Sequence, residues 1–205
     1  MTHHAALPFD DMPEFLAALR GRGGMAARAL EFAALTAART GEVLGALWGE
    51  FDLAAKVWTV PADRMKAGRE HRVPLSDAAL TVLDEVRPMA LMRDGKPDPA
   101  APVFPGVRRA LSMSNMTMLM LLRRMKRGDL TAHGFRSTFS DWAAERTAYP
   151  REVVEMALAH TIGNKVEAAY RRGDLFEKRR RLMADWASFC EAPRAGEVVL
   201  LRPNV

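Results

Sequence analysis

Residues 51–75, with the sequence FDLAAKVWTVPADRMKAGREHRVPL, differ in pattern from the sequence on either side of them. The runs 51–61 and 69–75 contain β-branched and aromatic residues, which favour strands. Polar residues and Gly68 separate the two runs, as is typical of a hairpin near residues 62–69. The stretch therefore predicts two or three antiparallel strands within an otherwise helical chain.

Helical periodicity surrounds this stretch on both sides. Before it, apolar spacing predicts helices at about residues 13–19, 26–38 and 41–47. After it, capping residues and spacing predict helices at about 76–92, 114–126, 133–146, 150–159, 164–170 and 174–189. The proline-rich segment 93–105 is predicted to be an exposed loop. We therefore predict a mainly α fold with a small antiparallel β-sheet (α+β).

Composition excludes several classes of protein. The 205 residues are 49% apolar and 27% charged, which suits one globular domain with a packed core. A single cysteine, Cys190, excludes a disulfide framework and fits a reducing compartment, so we expect a cytoplasmic protein. No apolar run approaches the ~18 residues of a membrane span. The net charge of +5 favours a polyanionic partner.

Three short motifs carry side chains that could bind or protonate an oxyanion. His133 and Arg136 are three residues apart, so on a helix they share a face and could bind one anion together. Arg39 follows an apolar helix, and Glu42 could orient it through an ion pair. Lys66, at the predicted hairpin tip, could contact a phosphate or donate a proton. Taken singly, each could equally be an ordinary surface group.

A fourth motif combines His160 with Tyr170, ten residues later. Tyr170 precedes Arg171 and Arg172, and cationic neighbours favour the phenolate form and attract phosphate. The alternative is a helical tyrosine with a solvated hydroxyl group.

In order along the chain, these residues resemble the catalytic set of the tyrosine recombinases, the lambda-type phage integrase family: Arg39, Lys66, His133, Arg136, His160 and Tyr170. The surrounding motifs are similar too: ARTGEVLG at 38–45, HRVPLS at 71–76, HGFR at 133–136 and LAH at 158–160. The similarity is greatest to prophage integrases of Gram-negative bacteria and extends from about residue 9 to 190. It implies the catalytic-domain fold of that family and an enzyme that cuts and rejoins DNA.

The resemblance also implies a role for each residue. Tyr170 would attack the scissile phosphorus and form a 3′-phosphotyrosine. The two arginines would bind the non-bridging oxygens and offset the developing charge. The two histidines would donate hydrogen bonds to those oxygens and assist proton transfer, with His133 as the base, and Lys66 would protonate the leaving 5′ oxygen. No metal or other cofactor is expected, because the phosphotyrosine conserves the bond energy.

The resemblance further implies a domain plan and partners. We expect a leader at 1–11, an integrase catalytic domain at 12–190, a C-terminal tail at 191–205 and no N-terminal core-binding domain. The expected partners are double-stranded DNA attachment sites and further protomers, forming a tetramer when full length, with no membrane partner. Basic side chains in two clusters are candidates for contacts to DNA phosphates: Arg108, Arg109, Arg123, Arg124, Lys126, Arg127, Arg171 and Arg172.

Two other functions stay open at this point. A type IB topoisomerase-like enzyme would use the same cleavage chemistry for DNA relaxation, and a catalytically inactive fragment would only bind DNA. Tyr149 is interpreted as structural, and Phe135, Phe139 and Trp142 as core residues. We expect the helix at 174–189 to serve assembly with a neighbouring protomer; the alternative is that it packs on its own domain.

Overall fold

Helix α2 (Met25–Thr36) forms the centre of the fold. Every residue from Ala29 to Thr36 is buried, as expected for a helix covered on all sides. Several of these residues are alanines, whose small side chains let neighbouring elements approach closely. The computed structural model describes residues 6–108, 110–160 and 173–192.

Around α2, the described residues form seven further α-helices and two small sheets. The helices are α1 (Met12–Arg20), α3 (Thr40–Leu44), α4 (Asp77–Val86), α5 (Met116–Arg124), α6 (Gly134–Arg146), α7 (Arg151–Ala157) and α8 (Phe176–Glu191). Helix α2 contacts α1, α3, α4, α5, α6 and α8. The predicted fold class, mainly α with a small antiparallel sheet, is confirmed.

The main sheet contains three antiparallel strands in the order β1 (Phe51–Asp52), β2 (Val57–Val60) and β3 (His71–Pro74). In the β2–β3 pair Trp58 lies opposite Val73. The Trp58 side chain is fully buried, and its ring lies 5.5 Å from that of Phe32 in α2. The hairpin predicted near residues 62–69 is therefore confirmed, and its inner face is anchored to the central helix.

The prediction of an exposed loop at 93–105 is wrong. Strands β4 (Met92–Arg93) and β5 (Lys96–Pro97) form a hairpin whose two turn residues, Asp94 and Gly95, have φ of 52° and 76°. Asp-Gly is a preferred pair for such a turn. The loop was predicted because the segment contains several prolines, which are uncommon in strands. Further along the segment, Val103 and Phe104 are buried in the core. The preceding helix also ends earlier than predicted, because α4 stops at residue 86.

Part of the predicted leader 1–11 belongs to the domain. Leu7 is 2% exposed, and its carbonyl accepts a hydrogen bond of 2.7 Å from Thr138 Oγ1. Phe9 packs against Phe189, with 6.2 Å between the ring centroids. Leu7 and Phe9, within the expected leader, are therefore packed on the core.

Helix α8 packs on its own domain, against α1, α2, α4, α7 and β3. Trp186 is fully buried, and its Nε1 donates to the carbonyl of Ala34 at 2.9 Å. Phe139 and Trp142 surround the same ring, and both are buried, as predicted. Of the two alternatives for the predicted helix 174–189, the described residues thus show packing within one chain.

Some expectations concern residues outside the described part of the chain. These are the predicted helix at 164–170 and all but the first two residues of the predicted tail 191–205. Among the helices that the structure does describe, none is long and apolar enough to cross a membrane.

Candidate active site

Arg39 lies between α2 and α3, where the backbone is extended. Its N–H donates to Glu42 Oε2 at 2.9 Å, and its Nη1 donates to Glu42 Oε1 at 2.7 Å. Glu42 is 5% exposed, so water screens this ion pair less than it would screen a surface pair. The predicted orientation of Arg39 by Glu42 is confirmed, and the same carboxylate also caps α3.

Arg136, near the start of α6, is buried. Its Nη1 donates to the carbonyl of Ala37, and its Nη2 donates to the carbonyl of Leu158 at 2.5 Å. Burial lowers the pKa of Arg136 to about 10, and the nearby positive charge of Arg39 adds to this lowering. Arg136 is still protonated at neutral pH, so a bound anion would relieve the repulsion between the two guanidinium groups.

The C-terminal turn of α7 holds both arginines. The last carbonyls of a helix lack partners within the helix and lie at the negative end of its dipole. Here the Leu158 carbonyl accepts from Arg136, and the Ala159 carbonyl accepts from Arg39 Nη2 at 3.1 Å. Ala159 has a left-handed φ of 49°, which ends the helix at this point. Residues from two distant parts of the sequence are thereby brought to one helix end.

His160 belongs to the same group. Its Nε2 lies 3.3 Å from Arg136 Nη2, and its Nδ1 lies 2.7 Å from Glu155 Oε2. A carboxylate only accepts hydrogen bonds and a guanidinium only donates them, so Nδ1 donates to Glu155 and Nε2 accepts from Arg136. We call Arg39, Arg136 and His160 the oxyanion site.

Glu155 is a supporting residue that the sequence analysis missed. Burial alone would raise its pKa, but hydrogen bonds from His160 and Arg151 outweigh burial and lower the pKa. The ionised carboxylate therefore fixes the orientation of the imidazole ring. The available signal was weak, because Glu155 is five residues from His160 and the helix ends between them.

His71 is a second residue that was missed as a member of the site. Burial lowers its pKa to about 4, and the charges of Arg179 and Arg39 add to this lowering. Glu42 and a hydrogen bond to the Ala157 carbonyl oppose the shift without cancelling it. The ring is therefore neutral at physiological pH. Strand alternation could have predicted the inward position of His71, because His71 lies two residues before the buried Val73 and so shares its face of the strand.

Lys66 lies in the connection between β2 and β3, as predicted, and it is exposed. We call residues 65–70 the Lys66 turn. Within the part of the chain that the structure describes, the Lys66 amine has no hydrogen-bond partner.

His133 is exposed and immediately precedes the first residue of α6. The N-cap residue of α6 is His133 and not Thr131 as predicted, although Thr131 Oγ1 accepts from Gly134 N, the first N–H of the helix, at 3.0 Å. His133 and Arg136 thus lie on the first turn of one helix, the histidine at the surface and the arginine in the core. Tyr170 lies outside the described residues, as do Arg109, Arg171 and Arg172.

Tyr149, the other tyrosine of the chain, has a structural partner. Its hydroxyl donates to Asp185 Oδ2 of α8 at 2.6 Å. Burial and this hydrogen bond raise the pKa of Tyr149 to about 12, so it is a poor source of phenolate. The interpretation of Tyr149 as structural is confirmed.

The described residues include five of the cations predicted to contact DNA: Arg108, Arg123, Arg124, Lys126 and Arg127. Arg123 and Arg124 end α5, where positive charge also offsets the helix dipole. Arg127 differs, because it forms a two-point ion pair with Asp129, Nε to Oδ1 at 3.1 Å and Nη2 to Oδ2 at 3.0 Å. The other four are exposed and are the better candidates for phosphate contacts.

The chemistry of the oxyanion site suits a phosphodiester. Planar guanidinium groups present paired donors that match two phosphate oxygens. Within residues 6–108, 110–160 and 173–192, no three His, Cys, Asp or Glu side chains form a group that could hold a metal ion.

Solved structures of phage integrases share this fold. The integrase of mycobacterium phage Brujita superimposes with a TM-score of 0.62 and 16% identity, over 90% of this chain and 57% of that chain. A lambda integrase, in a tetramer bound to a Holliday junction, superimposes with a TM-score of 0.58 and 16% identity, over 80% of this chain and 49% of that chain. The fold is therefore that of a tyrosine recombinase catalytic domain.

Sequence comparison gives the family. Residues 6–175 match the model of the phage integrase family. The chain is 36% identical to prophage integrase IntA of Escherichia coli K12, over 93% of this chain and 45% of that protein. It is 31% identical to the integrase of Enterobacteria phage P4, over 97% of this chain and 48% of that protein. The chain belongs to the phage integrase family, and it spans about half the length of these curated relatives.

Proposed function

We propose that this chain is the catalytic part of a tyrosine site-specific DNA recombinase that integrates and excises a prophage. The observation that carries the proposal is the convergence of Arg39, Arg136 and His160 on the last turn of α7. Phosphoryl transfer by an amino acid nucleophile requires fixed positive charge around the phosphate, and this group supplies it. Membership of the phage integrase family supports the same reaction.

Tyr170 is the proposed nucleophile. Its phenolic oxygen attacks phosphorus, the P–O5′ bond breaks, and a 3′-phosphotyrosine forms. The phenol proton passes to His133, and Lys66 gives a proton to the leaving 5′ oxygen. The 5′-hydroxyl of a second strand then attacks the phosphotyrosine and releases Tyr170. Because one phosphodiester replaces another, no nucleotide is consumed.

The oxyanion site would bind the two non-bridging oxygens. A guanidinium group has five N–H donors, and the described contacts of Arg39 to Glu42 and Ala159 use only some of them. His160 can donate to phosphate only when Nε2 is protonated. The Glu155 carboxylate, 2.7 Å from Nδ1, would hold the imidazole ring in place beside the phosphate.

The partners and the setting of the whole protein belong to the same proposal. The lambda integrase neighbour was solved as a tetramer on a Holliday junction, which supports a tetramer on double-stranded attachment sites for the full-length protein. Cleavage of chromosomal DNA would place it in the bacterial cytoplasm. We assign residues 12–190, together with the packed residues 6–11, to the catalytic domain. Arg108, Arg123, Arg124 and Lys126 would contact backbone phosphates.

Covalent trapping tests the proposal. In a duplex attachment site with a nick next to the scissile phosphate, cleavage releases a short fragment that carries the free 5′-hydroxyl. The fragment diffuses away, so the phosphotyrosine cannot be religated and accumulates. The unaltered protein should be trapped on this substrate, and Tyr170→Phe should bind the duplex without being trapped. Tyr149→Phe is the matched control and should be trapped like the unaltered protein. Trapping of Tyr170→Phe at the unaltered level would overturn the assignment.

Relaxation, trapping and strand-exchange assays separate the proposed function from the two alternatives. A type IB topoisomerase-like enzyme would relax supercoiled DNA and would not exchange strands between two sites. A catalytically inactive fragment would bind DNA and never be trapped. Family membership favours strand exchange, which is measured with a pair of differently labelled sites.

A further inference from the structure

Arg64 lies two residues before Lys66 and is tied firmly at the base of the Lys66 turn. It is the last residue of the 3₁₀ turn Ala62–Arg64. Its Nη1 forms an ion pair with Glu50 Oε1, and its Nη2 donates to the main-chain carbonyl of Glu42 at 2.5 Å. The side chains of Arg64 and Glu50 are 21% and 9% exposed, so this is not an ordinary surface pair.

Glu50 is itself anchored to the core. Its second carboxylate oxygen, Oε2, accepts from Trp58 Nε1 at 2.8 Å. Trp58 is fully buried in β2. Arg64 is therefore connected to the centre of the sheet through one carboxylate.

Gly45 provides the space that Arg64 needs. A Cβ atom at this position would lie 3.0 Å from Arg64 Nη2 and 3.3 Å from Cζ. The backbone φ of Gly45 is −93°, which any residue adopts, so conformation does not require a glycine here. The requirement is steric, because the guanidinium lies against the bare backbone at the end of α3.

Glu42 joins Arg64 to the oxyanion site. Its carboxylate holds Arg39, and its main-chain carbonyl accepts from Arg64. We propose that Arg64, seated by Glu50 and Gly45, is a positioning residue that fixes the Lys66 turn relative to the phosphate bound by Arg39. This inference rests on the proposed function, because it assigns Lys66 the role of proton donor to the leaving 5′ oxygen.

The proposal predicts a specific defect. Loss of Arg64 leaves Lys66 in the chain but displaces it from the leaving oxygen, so breaking of the P–O5′ bond slows. A substrate with sulfur in place of the 5′-bridging oxygen has a leaving group that needs little protonation. Arg64→Ala should therefore cleave the oxygen substrate at least ~10-fold more slowly than the unaltered protein and cleave the sulfur substrate at nearly the same rate.

Three controls define the comparison. Lys66→Ala should show the same rescue by sulfur, and Arg39→Ala should be slow on both substrates, because its role is charge stabilisation. Arg28→Ala removes a different, partly buried arginine that forms ion pairs with Glu31 and Glu85. It should alter the rates on the two substrates by the same factor.

Two further variants keep the inference testable if Arg64→Ala does not fold. Gly45→Ala keeps Arg64 but places a Cβ 3.0 Å from its Nη2 and 3.2 Å from the Gly41 carbonyl oxygen, so the guanidinium must shift by a few tenths of an ångström, and Arg64→Lys keeps the charge without the two-point contact. Both should be rescued by sulfur. The double variant Arg64→Ala/Lys66→Ala should be no slower on the oxygen substrate than Lys66→Ala alone, because both changes remove one function.

The outcomes separate this inference from the proposed function. Failure of the unaltered protein to be trapped on DNA would overturn both. Rescue of Lys66→Ala, with Arg64 and Gly45 variants slow on both substrates, would overturn only the positioning role of Arg64. That role would also be overturned if the double variant cleaved the oxygen substrate more slowly than Lys66→Ala by the full factor that Arg64→Ala causes alone.

Discussion

The oxyanion site and the Lys66 turn are joined through Glu42, yet the protein holds them in opposite ways. Arg136 is 4% exposed and donates to carbonyls at the ends of α2 and α7. Lys66 is exposed, and its turn is attached through the buried Met65 side chain and, at its base, through Arg64. Arg136 is therefore part of the core and Arg39 is partly buried beside it, whereas the lysine is carried at the end of a hairpin.

The difference matches what each group is proposed to do. Stabilising charge in a transition state requires donors that are fixed before the reaction, so that no reorganisation is needed. A proton donor must reach an oxygen that moves away as its bond breaks, so a long side chain on an anchored turn suits it. We therefore expect changes in the oxyanion site to affect both stability and catalysis, and changes at Lys66 to affect catalysis alone.

The largest expected effect comes from removing the support of both regions. A chain ending at Gly173 lacks α8, including Leu182, Met183 and Trp186, which are all at most 2% exposed. Loss of each large buried side chain costs about 2–5 kcal/mol, so these three alone sum to about 6–15 kcal/mol, as much as the ~5–15 kcal/mol that stabilises a typical domain. Thermal unfolding followed by circular dichroism should show no cooperative transition. A midpoint equal to that of the full chain would instead indicate that α8 packs on a neighbouring protomer.

Arg136→Ala should cause the next largest loss. It leaves the carbonyls of Ala37 and Leu158 buried without their donor, and it should lower the free energy of unfolding by about 3 kcal/mol. Cleavage should fall by about 10²–10³-fold, with no rescue by the sulfur substrate. Urea unfolding measures the stability change. A stable Arg136→Ala protein that is impaired only in cleavage would contradict the comparison of the two regions.

Acid should weaken the fold through His71. Its folded pKa of about 4 lies below the ordinary value of 6.5, so the unfolded chain takes up a proton first as the pH falls. Stability is therefore full above pH 6.5 and is lost as the pH falls towards 4, by about 2 kcal/mol between pH 7 and pH 5. His71→Asn should remove most of this loss in urea unfolding at the two pH values. His133→Asn, a change at an exposed position, should retain it.

Lys66→Ala should have the smallest effect on stability. The amine is exposed, so the free energy of unfolding should change by no more than ~0.5 kcal/mol. Cleavage of the oxygen substrate should nevertheless fall by about 10²-fold or more. A clear loss of stability in Lys66→Ala would show that the turn depends on the lysine as well as on Arg64.

Local signals in the sequence predicted local structure well. β-Branched and aromatic residues with a polar interruption located β2 and β3, and the closeness of Glu42 to Arg39 at a helix end suggested their ion pair. The signals failed where the partner lies far along the chain. Arg64 contacts Glu42, 22 residues earlier, and no pattern in either stretch indicates that pairing.

The backbone at the oxyanion site was equally hard to foresee. Ala37 and Ala159 both have a φ of 49° in the left-handed region, where glycine is the expected residue. These two turns orient the carbonyls that hold Arg136 and Arg39. Only tertiary packing explains an alanine in that conformation, so the sequence carried no glycine to mark the helix ends.

The pairing of α8 with the start of the chain also affects how the protein is made. Arg20 donates to Glu191 Oε1, 171 positions later, at 3.1 Å, and Phe9 packs on Phe189. A ribosome adds about 5–20 residues per second, so α1 waits about 10–30 s for this partner to be synthesised. Contacts of such long sequence separation also form late in folding. Because α8 also packs on α7, whose last turn holds Arg39 and Arg136, the oxyanion site of a nascent chain would lack part of its support until α8 had emerged.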